Sequence, residues 1–255
     1  MGGGRGAAVI TVLLPVGAVG SPSQTSGDRA RPDEGEQHHL RVRRARDGER
    51  VALRDGAGLV ATGRLALAGK AWEVEIEAAE RRPRPADLTL VVGAGDRERF
   101  GWVVEKAAEL GATRVVPLMT ARSRDVGSRV RDSHLEKLRR LALEATKQCG
   151  SAWAVDVTAP AGLEDILQSA AGDGSTGMHR WLAEDGGSPP PPSLDTTPVI
   201  VVVGPEGGLE DDERRLTEAA GFRPTTLSAY TLRFETAALA AAAVVSAARL
   251  RGMHG

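Results

Sequence analysis

The sequence predicts an α/β protein in which a parallel-sheet domain follows a smaller, β-rich domain. In the first part of the chain Trp72, Val74 and Ile76 alternate with glutamates, and this period of two indicates a half-buried strand. The prolines of Arg81–Pro85 disfavour both helix and central strand, and beyond them apolar runs alternate with helical periodicity. Such alternation is typical of parallel strands joined by helices. We therefore divide the chain into a first domain, a linker and a second domain, at residues 1–80, 81–87 and 88–255.

The first domain is expected to be a small barrel or curled sheet. Arg50–Arg54 and Leu59–Ala68 are extended patterns on either side of the turn pair Asp55-Gly56, and a third strand follows around Trp72. Residues 20–37 are rich in Ser, Pro, Gly, Asp and Arg and indicate a loop or a poorly ordered segment. No helix signal interrupts the three strands, so a sheet is the architecture that this part of the sequence predicts.

The second domain is expected to consist of strands and helices in alternation. Strands are predicted at Leu88–Val92, Val115–Met119, Trp181–Ala183, Val199–Val203 and Thr225–Ala229. Helices are predicted at Phe100–Ala108 with Gly111 as a cap, from a Ser133/Glu136 capping box to Gly150, at Leu163–Ala170, at Glu210–Ala220 and at Thr236–Arg251. The proline-rich run Gly186–Pro198 indicates an irregular loop. An unbroken apolar run such as Val199–Val203 is typical of a strand buried on both faces of a parallel sheet.

Composition and charge exclude several classes of site. The net charge of −1 suggests no particular partner, so any nucleic-acid footprint must be local. Cys149 is the only cysteine, which excludes an intrachain disulfide and a multi-cysteine zinc site and fits a reducing, cytoplasmic setting. His38 and His39 have no third ligand at a suitable spacing, so we expect no metal. No segment has the roughly 18 unbroken apolar residues that a membrane span needs.

A glycine-rich loop follows the most apolar predicted strand. Val199–Val203 runs directly into Gly204-Pro205-Glu206-Gly207-Gly208, and a predicted helix comes next. Ligands of open α/β sheets bind outside the carboxyl ends of the strands, where glycines let the backbone approach a ligand closely. The spacing matches neither a P-loop nor a GxGxxG motif. The segment therefore indicates a small-molecule site, with a purely structural turn as the alternative.

A second informative segment, Tyr230–Ala238, joins the last predicted strand to the last helix. Thr236, or Glu235 before it, is positioned to cap this helix, which is a sufficient structural reason for either residue. Arg233 has no such reason, because it lies in a loop next to the expected small-molecule site. It is therefore a candidate functional residue.

These two segments identify a family. GPEGG followed by LRFETAALAA resembles the 16S ribosomal RNA (uracil-N3)-methyltransferases of the SPOUT superfamily, whose second motif reads LRTETA, so that Phe234 replaces a usual Thr. Glu105–Gly111 and the pair of Pro117 with Ala121–Ser123 resemble two further motifs of that family. Glu144–Gly150 resembles a third, with Lys147 in place of Glu and Ser151 in place of Arg. The residues from His38 to Arg44 resemble the histidine-containing opening of the family's RNA-binding domain.

The resemblance implies a fold, a cofactor and partners. The second domain would be a SPOUT-type parallel-sheet domain with a deep trefoil knot, the first a PUA-like β-barrel, and the protein a homodimer that binds ribosomal RNA or the small ribosomal subunit. S-adenosylmethionine would be bound by residues of three loops, namely Leu182, Glu184, Gly204, Pro205, Glu206, Gly207, Gly208, Leu232 and Thr236.

The chemistry of the implied reaction assigns two catalytic candidates. Uracil N3 carries a proton, so its attack on a methyl group requires that the proton is removed or that the anionic base is stabilised. Arg233 is the candidate for stabilising the negative charge. Glu235 is the candidate for accepting the proton, with helix capping as its alternative role. No covalent nucleophile is required, because the methyl group can pass directly from sulfur to nitrogen.

Arginines near the N-terminus are the candidate RNA contacts. The expected contacts are His39, Arg41, Arg43 and Arg44, and the basic stretch extends to Arg46, Arg50 and Arg54. In the second domain, Arg122 and Ser123 are candidate contacts to RNA or substrate. The alternative is a solvated charged face.

Two other functions remain open from the sequence. A non-catalytic RNA-binding protein could retain this fold, and the departures at Lys147, Ser151 and Phe234 leave room for it. The intact glycine loop argues against it, and cofactor binding would discriminate. A SPOUT methyltransferase with a different RNA target is the other alternative.

Overall fold

The structure is a computed structural model that describes residues 10–20, 27–93, 95–123, 132–172 and 177–253. The chain forms two units. One unit contains the residues up to Arg84 together with Thr146–Ala154, and the other contains Pro85–Ala145 and the residues from Val155 on. The contiguous first domain expected from the sequence lacks Thr146–Ala154. Periodicity reports local structure only, so it cannot reveal that a segment distant in sequence packs with the first unit.

The first unit is built on one sheet. Its strands are β1 (Ile10–Leu13), β2 (Arg29–Ala30), β3 (Arg50–Arg54), β4 (Leu59–Ala68) and β5 (Ala71–Arg81). They lie in the order β1-β3-β4-β5-β2, in which only β1 and β3 are parallel. The strands β3, β4 and β5 confirm the prediction. The additional strand β1 supplies Val12 to a core that also contains Leu40 and Ile76.

The helix α1 (Glu34–Val42) was not predicted. Its first residues belong to the segment 20–37, for which the sequence indicated a loop, and no helix was predicted for the residues that follow. The helix buries Glu36, Gln37 and Leu40, of which two are polar, so no apolar stripe marks it in the sequence. Gln37 is paired on both sides, since its Nε2 donates to the Trp72 carbonyl at 2.6 Å and its Oε1 accepts from the Trp72 amide at 2.8 Å.

A buried ion pair connects α1 to the second segment of its unit. Lys147 Nζ donates to both carboxylate oxygens of Glu36, at 2.8 and 2.9 Å, and both side chains are largely buried. The lysine at position 147, which departs from the family pattern, thus has a specific partner in this chain. Removing either charge would leave the other one buried without compensation.

The second unit is a parallel sheet with helices on both faces. Its elements are β6 (Leu88–Gly93), α2 (Arg97–Glu109), β7 (Arg114–Met119), α3 (Asp132–Cys149), β8 (Asp156–Val157), β9 (Ala161–Gly162), α4 (Leu163–Gly172), β10 (His179–Ser188), β11 (Val199–Val203), α5 (Asp211–Ala219), β12 (Arg223–Thr225) and α6 (Phe234–Gly252). The last turn of α3 belongs to the first unit. The strand order is β12-β10-β11-β6-β7-β8, and β9 also pairs with β7.

Alternate residues of β11 pack on opposite faces of this sheet. Val199, Val201 and Val203 belong to a core with apolar residues of α2, α3 and α6, whereas Ile200 and Val202 pack with residues of α4. Successive side chains of a strand point to opposite faces, so both faces of this sheet are covered. The parallel α/β prediction is confirmed.

Some element ends differ from the prediction. The helix α3 already includes Asp132, so Ser133 lies inside the helix and does not open a capping box. The strand β12 ends at Thr225, where the predicted strand would begin. It contains Pro224, which is tolerated because β12 is at the edge of the sheet. The strand β10 extends to Ser188 and so includes the first three residues of the predicted loop.

The predicted cap at the end of α2 is present, whereas the predicted cap at the start of α6 is not. Gly111 has a φ of +80° after α2, and the bond from the Ala112 amide to the Ala107 carbonyl completes a Schellman motif, as predicted. The helix α6 begins at Phe234 with Arg233 as its N-cap residue. The prediction that Glu235 or Thr236 caps this helix is therefore wrong, since both lie in its first turn. Among the described residues, no helix is long and apolar enough to cross a membrane.

Candidate active site

One cavity of the second unit lies between strand β10 and two loops at the carboxyl edge of the sheet. Its volume is about 490 Å³, which is in the range of small-molecule sites. The end of β10, the loop Gly204–Gly208 after β11 (the cofactor loop) and the loop Thr226–Arg233 before α6 (the arginine loop) contribute to its lining. Because β10 and β11 are adjacent and parallel, their carboxyl ends meet at the same edge.

The cavity brings together most of the predicted site residues. Those that line it are Leu182, Glu184, Gly204, Pro205, Glu206, Gly207, Gly208, Leu232 and Arg233. Glu235 and Thr236 lie in the first turn of α6 and are not part of the lining. The cavity is also lined by residues to which the sequence assigned no role in binding or catalysis, including Asp185, Ser228, Tyr230, Thr231 and Phe234.

Glycines permit the close approach of the cofactor loop to the strand β6. A Cβ atom at Gly93 would lie 2.3 Å from the Pro205 nitrogen, a distance that no side chain tolerates. Within the loop, a Cβ atom at Gly204 would lie 3.3 Å from Gly208. The glycine signal at the end of β11 therefore reflects a tightly folded loop, and Gly93 is its counterpart on the neighbouring strand.

Hydrogen bonds attach the arginine loop to the end of β10. Thr231 Oγ1 donates to Asp185 Oδ2 at 2.8 Å, and Thr226 Oγ1 donates to the Glu184 carbonyl at 3.2 Å. Two sides of the cavity are thus joined. No local pattern in the sequence predicts this pairing, because Asp185 of β10 and Thr231 of the arginine loop are brought together only by the fold.

The departure from the family pattern at Phe234 has a structural explanation. Phe234 is only 3% exposed, belongs to the core and also contributes to the lining of the cavity. Its ring lies against Gly95, where an added Cβ atom would come within 2.9 Å of it. The glycine therefore makes room for the larger side chain. Arg233, the preceding residue, is exposed and makes no side-chain capping bond, so its guanidinium is not required by the helix.

Glu235 is buried behind the arginine loop. It is 7% exposed, and its Oε2 has no hydrogen-bond partner among the described residues. Its other oxygen lies 3.8 Å from a guanidinium nitrogen of Arg99, which is also 3.6 Å from Oε1 of Glu206. No motif in the sequence indicates Arg99 as a site residue, because its contacts depend entirely on the fold.

The charge of the lining suits a ligand with positive charge. The lining contains the carboxyl groups of Glu184, Asp185 and Glu206 and one guanidinium, that of Arg233. Glu184 Oε1 pairs with Arg214 at 3.1 Å, whereas its Oε2 is buried without a partner in the described ranges and can accept a hydrogen bond from a bound molecule. The sulfonium and ammonium groups of S-adenosylmethionine fit such a lining.

Some of the predicted RNA contacts of the first unit are exposed, whereas others are held in ion pairs within the protein. His39, Arg41 and Arg44 are exposed. Arg43 instead forms an ion pair with Glu49. Arg50 pairs with Glu77 at 3.1 Å. Whether any of these residues contacts RNA stays a prediction.

Arg44 adopts a strained backbone conformation. Its φ of +58° makes it the only described residue other than glycine with a positive φ. It occupies the C′ position after α1, since the Arg44 amide bonds to the Arg41 carbonyl and the Ala45 amide to the Leu40 carbonyl. Glycine is the usual residue at this position of a Schellman motif, so an arginine there costs stability.

Arg122 lies beside the cofactor loop. Its guanidinium donates to the Gly207 carbonyl and is 3.9 Å from Glu210. The structure thus places it next to the cavity, and a contact with RNA or substrate stays a prediction. The side chain of Ser123 lies outside the described residues. In the described part of the chain no three His, Cys, Asp or Glu residues are grouped to hold a metal ion.

The chain is similar to named bacterial proteins. It is 29% identical to the "Ribosomal RNA small subunit methyltransferase E" of Synechocystis sp. over 82% of this chain and 70% of that protein. It is 28% identical to the protein of the same name from Aquifex aeolicus, over 83% and 91% of the two chains.

Solved structures have the same fold. A probable rRNA-methyltransferase from Porphyromonas gingivalis superposes with a TM-score of 0.73 at 26% identity, over 92% of this chain and 95% of that one. The ribosomal RNA small subunit methyltransferase E from Neisseria gonorrhoeae, solved with bound S-adenosyl methionine, gives a TM-score of 0.74 at 24% identity with the same coverage.

Family models match both parts of the chain. The model of the RNA methyltransferase PUA domain matches residues 32–77, which confirms the expected type of the first unit. The model of the RNA methyltransferase domain matches residues 82–246, well over half of the chain. The protein therefore belongs to the RNA methyltransferase domain family.

Proposed function

We propose that this enzyme methylates N3 of a uracil in the 16S ribosomal RNA of the small subunit, with S-adenosylmethionine as methyl donor. The observation that carries the proposal is a single cavity lined by both the cofactor loop and Arg233. The names of the Synechocystis and Aquifex relatives support a small-subunit RNA substrate. The N. gonorrhoeae protein, which has the same fold, binds the proposed cofactor. The uracil N3 target rests on the sequence resemblance.

The chain offers a cradle for that cofactor. The residues that would hold it are Leu182, Glu184, Leu232 and the five residues of the cofactor loop. When bound, the cofactor supplies a methyl group activated by a sulfonium. Thr236 remains a predicted contact, although it is not part of the cavity lining.

Arg233 would stabilise the developing negative charge of the base. Uracil N3 is largely protonated at neutral pH, and a guanidinium near the pyrimidine oxygens favours the form that has lost the proton. Glu235 would accept the proton. It is the weaker of the two catalytic candidates, because its side chain is buried behind the arginine loop. Holding both substrates in a near-attack arrangement would account for much of the remaining rate enhancement.

An exposed aromatic residue at the cavity supports a nucleobase as substrate. Tyr230, the only tyrosine of the chain, lines the cavity and yet is 81% exposed. Its loop is held in place by the bond between Thr231 and Asp185. RNA-binding proteins recognise unstacked bases by stacking them on such side chains.

Further parts of the proposal rest on the family resemblance. We propose a trefoil knot in the second unit, a homodimer with the active site near the subunit interface, and a cytoplasmic location. Light scattering of the purified protein tests the dimer directly.

The enzyme assay tests the function. Purified protein, labelled S-adenosylmethionine and either naked 16S ribosomal RNA or assembled small subunits lacking the modification are incubated, and mass spectrometry of RNA fragments locates the methyl group. We expect one 3-methyluridine. A methyl group on another base or on a ribose would support the alternative target, and cofactor binding without transfer to any RNA would contradict the proposal.

Arg44 provides a test of the RNA footprint in which stability and binding change in opposite directions. Arg44→Gly relieves the positive φ and should raise the free energy of unfolding by about 1 kcal/mol. If Arg44 contacts a phosphate, the same change should lower the slope of log K against log salt by roughly 0.7–0.9. Thermal unfolding and RNA titrations over a range of salt concentrations measure the two effects.

The matched control is Arg64→Gln in the same unit. Arg64 is held in an ion pair with Glu77 at 2.8 Å, so its loss should leave the salt slope unchanged. An Arg44→Gly protein that is more stable and binds RNA with the wild-type slope would remove Arg44 from the footprint.

A further inference from the structure

We infer that Arg99 is a positioning residue that holds the cofactor loop and the start of α6 in one arrangement. The inference rests on the proposed function, because it assigns a role within the same site. Arg99 lies in the first turn of α2, where its backbone amide donates to Oδ1 of the N-cap residue Asp96 at 3.0 Å. This contact holds the backbone from which the Arg99 side chain extends.

The guanidinium of Arg99 contacts carboxylates from two different segments. A single nitrogen, Nη1, lies 3.6 Å from Glu206 Oε1 and 3.8 Å from Glu235 Oε1. Glu206 belongs to the cofactor loop, whereas Glu235 follows the arginine loop by two residues. Arg99 is thus a physical link between the segment that would hold the methyl donor and the segment that presents Arg233.

Of the two ion pairs of Arg99, the one with Glu235 is expected to constrain the structure more. Glu206 is exposed, and an ion pair to an exposed carboxylate contributes little. Glu235 is buried, and Arg99 is the only basic side chain within ion-pair distance of it among the described residues. A buried carboxylate needs a compensating charge, so Arg99 determines where Glu235 can sit.

This constraint extends to the proposed catalytic residue. Arg233 is the N-cap residue of α6, and Glu235 is in the first turn of the same helix. Moving Glu235 therefore moves the backbone from which the Arg233 side chain extends. A displacement of about 1 Å at a reacting group can reduce a rate by about 100-fold.

Lysine is not an equivalent replacement at this position. Both carboxylates lie near one guanidinium nitrogen, and the shorter, flexible lysine side chain does not hold its ammonium at that point. Arg99→Lys should compensate Glu235 while leaving the cofactor loop without its link. The two variants Arg99→Lys and Arg99→Gln thus separate compensation of charge from the connection between loops.

The experiment compares Arg99→Gln and Arg99→Lys with Arg140→Gln, an exposed arginine of α3 that serves as the charge-matched control. Calorimetry gives the affinity for S-adenosylmethionine, thermal unfolding gives the stability, and steady-state assays give kcat and KM for RNA. For Arg99→Gln we expect kcat to fall roughly 10- to 100-fold with KM for RNA within about twofold of wild type. Arg99→Lys should recover part of kcat.

A double-variant cycle with Glu235→Gln isolates the pair. We expect Arg99→Gln to cost much less kcat in the Glu235→Gln background than in the wild type, because the buried charge is gone. Additive losses, or an Arg99→Gln enzyme with wild-type kcat, would overturn the inference. So would a fall in kcat that Arg99→Lys does not relieve at all. A wild-type protein that binds cofactor but transfers no methyl group would instead contradict the proposed function.

Discussion

Replacing Arg233 by alanine is expected to reduce methyl transfer by roughly 100- to 1,000-fold. The expected loss is large because the guanidinium would act on charge that develops at the uracil during the reaction, in a cavity that already carries three carboxylates. Without Arg233, the anionic base would face a lining of its own sign. The measurement is kcat with saturating RNA and S-adenosylmethionine.

The fold should tolerate this change. Arg233 is exposed and makes no side-chain capping bond at α6, so the melting temperature and the cofactor affinity should remain close to those of the wild type. Arg215→Ala, which removes an exposed arginine of α5, is the matched control. Methyl transfer by Arg233→Ala at the rate of Arg215→Ala would remove Arg233 from the mechanism.

The sheet that carries the site could be predicted from local signals. Val199–Val203 is apolar at every position because both faces of β11 are covered, and the glycines after it mark a loop at the carboxyl edge. The helix α1 could not be predicted in the same way. It buries Glu36 and Gln37, and the partners that make this burial favourable, Lys147 and Trp72, are distant in sequence.

The parts of the candidate site that lie in continuous sequence motifs could be predicted, whereas contacts between segments distant in sequence could not. The cofactor loop and Arg233 lie in two continuous motifs, and the fold brings both to one cavity. The link from Thr231 to Asp185 and the contacts of Arg99 join segments that no local pattern connects. Periodicity carries no information about such pairs, so only a three-dimensional structure reveals them.

The departures from the family pattern bear on the alternative of a non-catalytic protein. Phe234 occupies space provided by Gly95, and Lys147 neutralises the buried Glu36. Ser151 Oγ donates to the Trp153 carbonyl at 2.9 Å. Each unusual residue thus has a partner within this chain, and of the three only Phe234 belongs to the cavity lining. Loss of catalysis would be expected to leave changes in the cofactor loop or at Arg233, and both are intact.

Replacing Gly207 by tryptophan is expected to abolish measurable binding of S-adenosylmethionine. Gly207 lines the cavity and is exposed, so an indole there would occupy the space of the cofactor. Its backbone does not have a positive φ, so the substitution should not strain the loop. We expect the affinity measured by calorimetric titration to fall at least about 100-fold, a loss of about 2.7 kcal/mol of binding free energy.

Gly207→Ala distinguishes occupation of the cavity from disturbance of the loop. Its Cβ atom would meet only the Arg122 side chain, with Cδ at 3.3 Å, and a flexible side chain can shift by the small distance required. This variant should bind the cofactor within a few-fold of the wild type. Equal losses in both variants would mean that the loop, and not the open space above it, determines the affinity. Retained binding by Gly207→Trp would place the cofactor elsewhere and separate Arg233 from the methyl donor on which its proposed role depends.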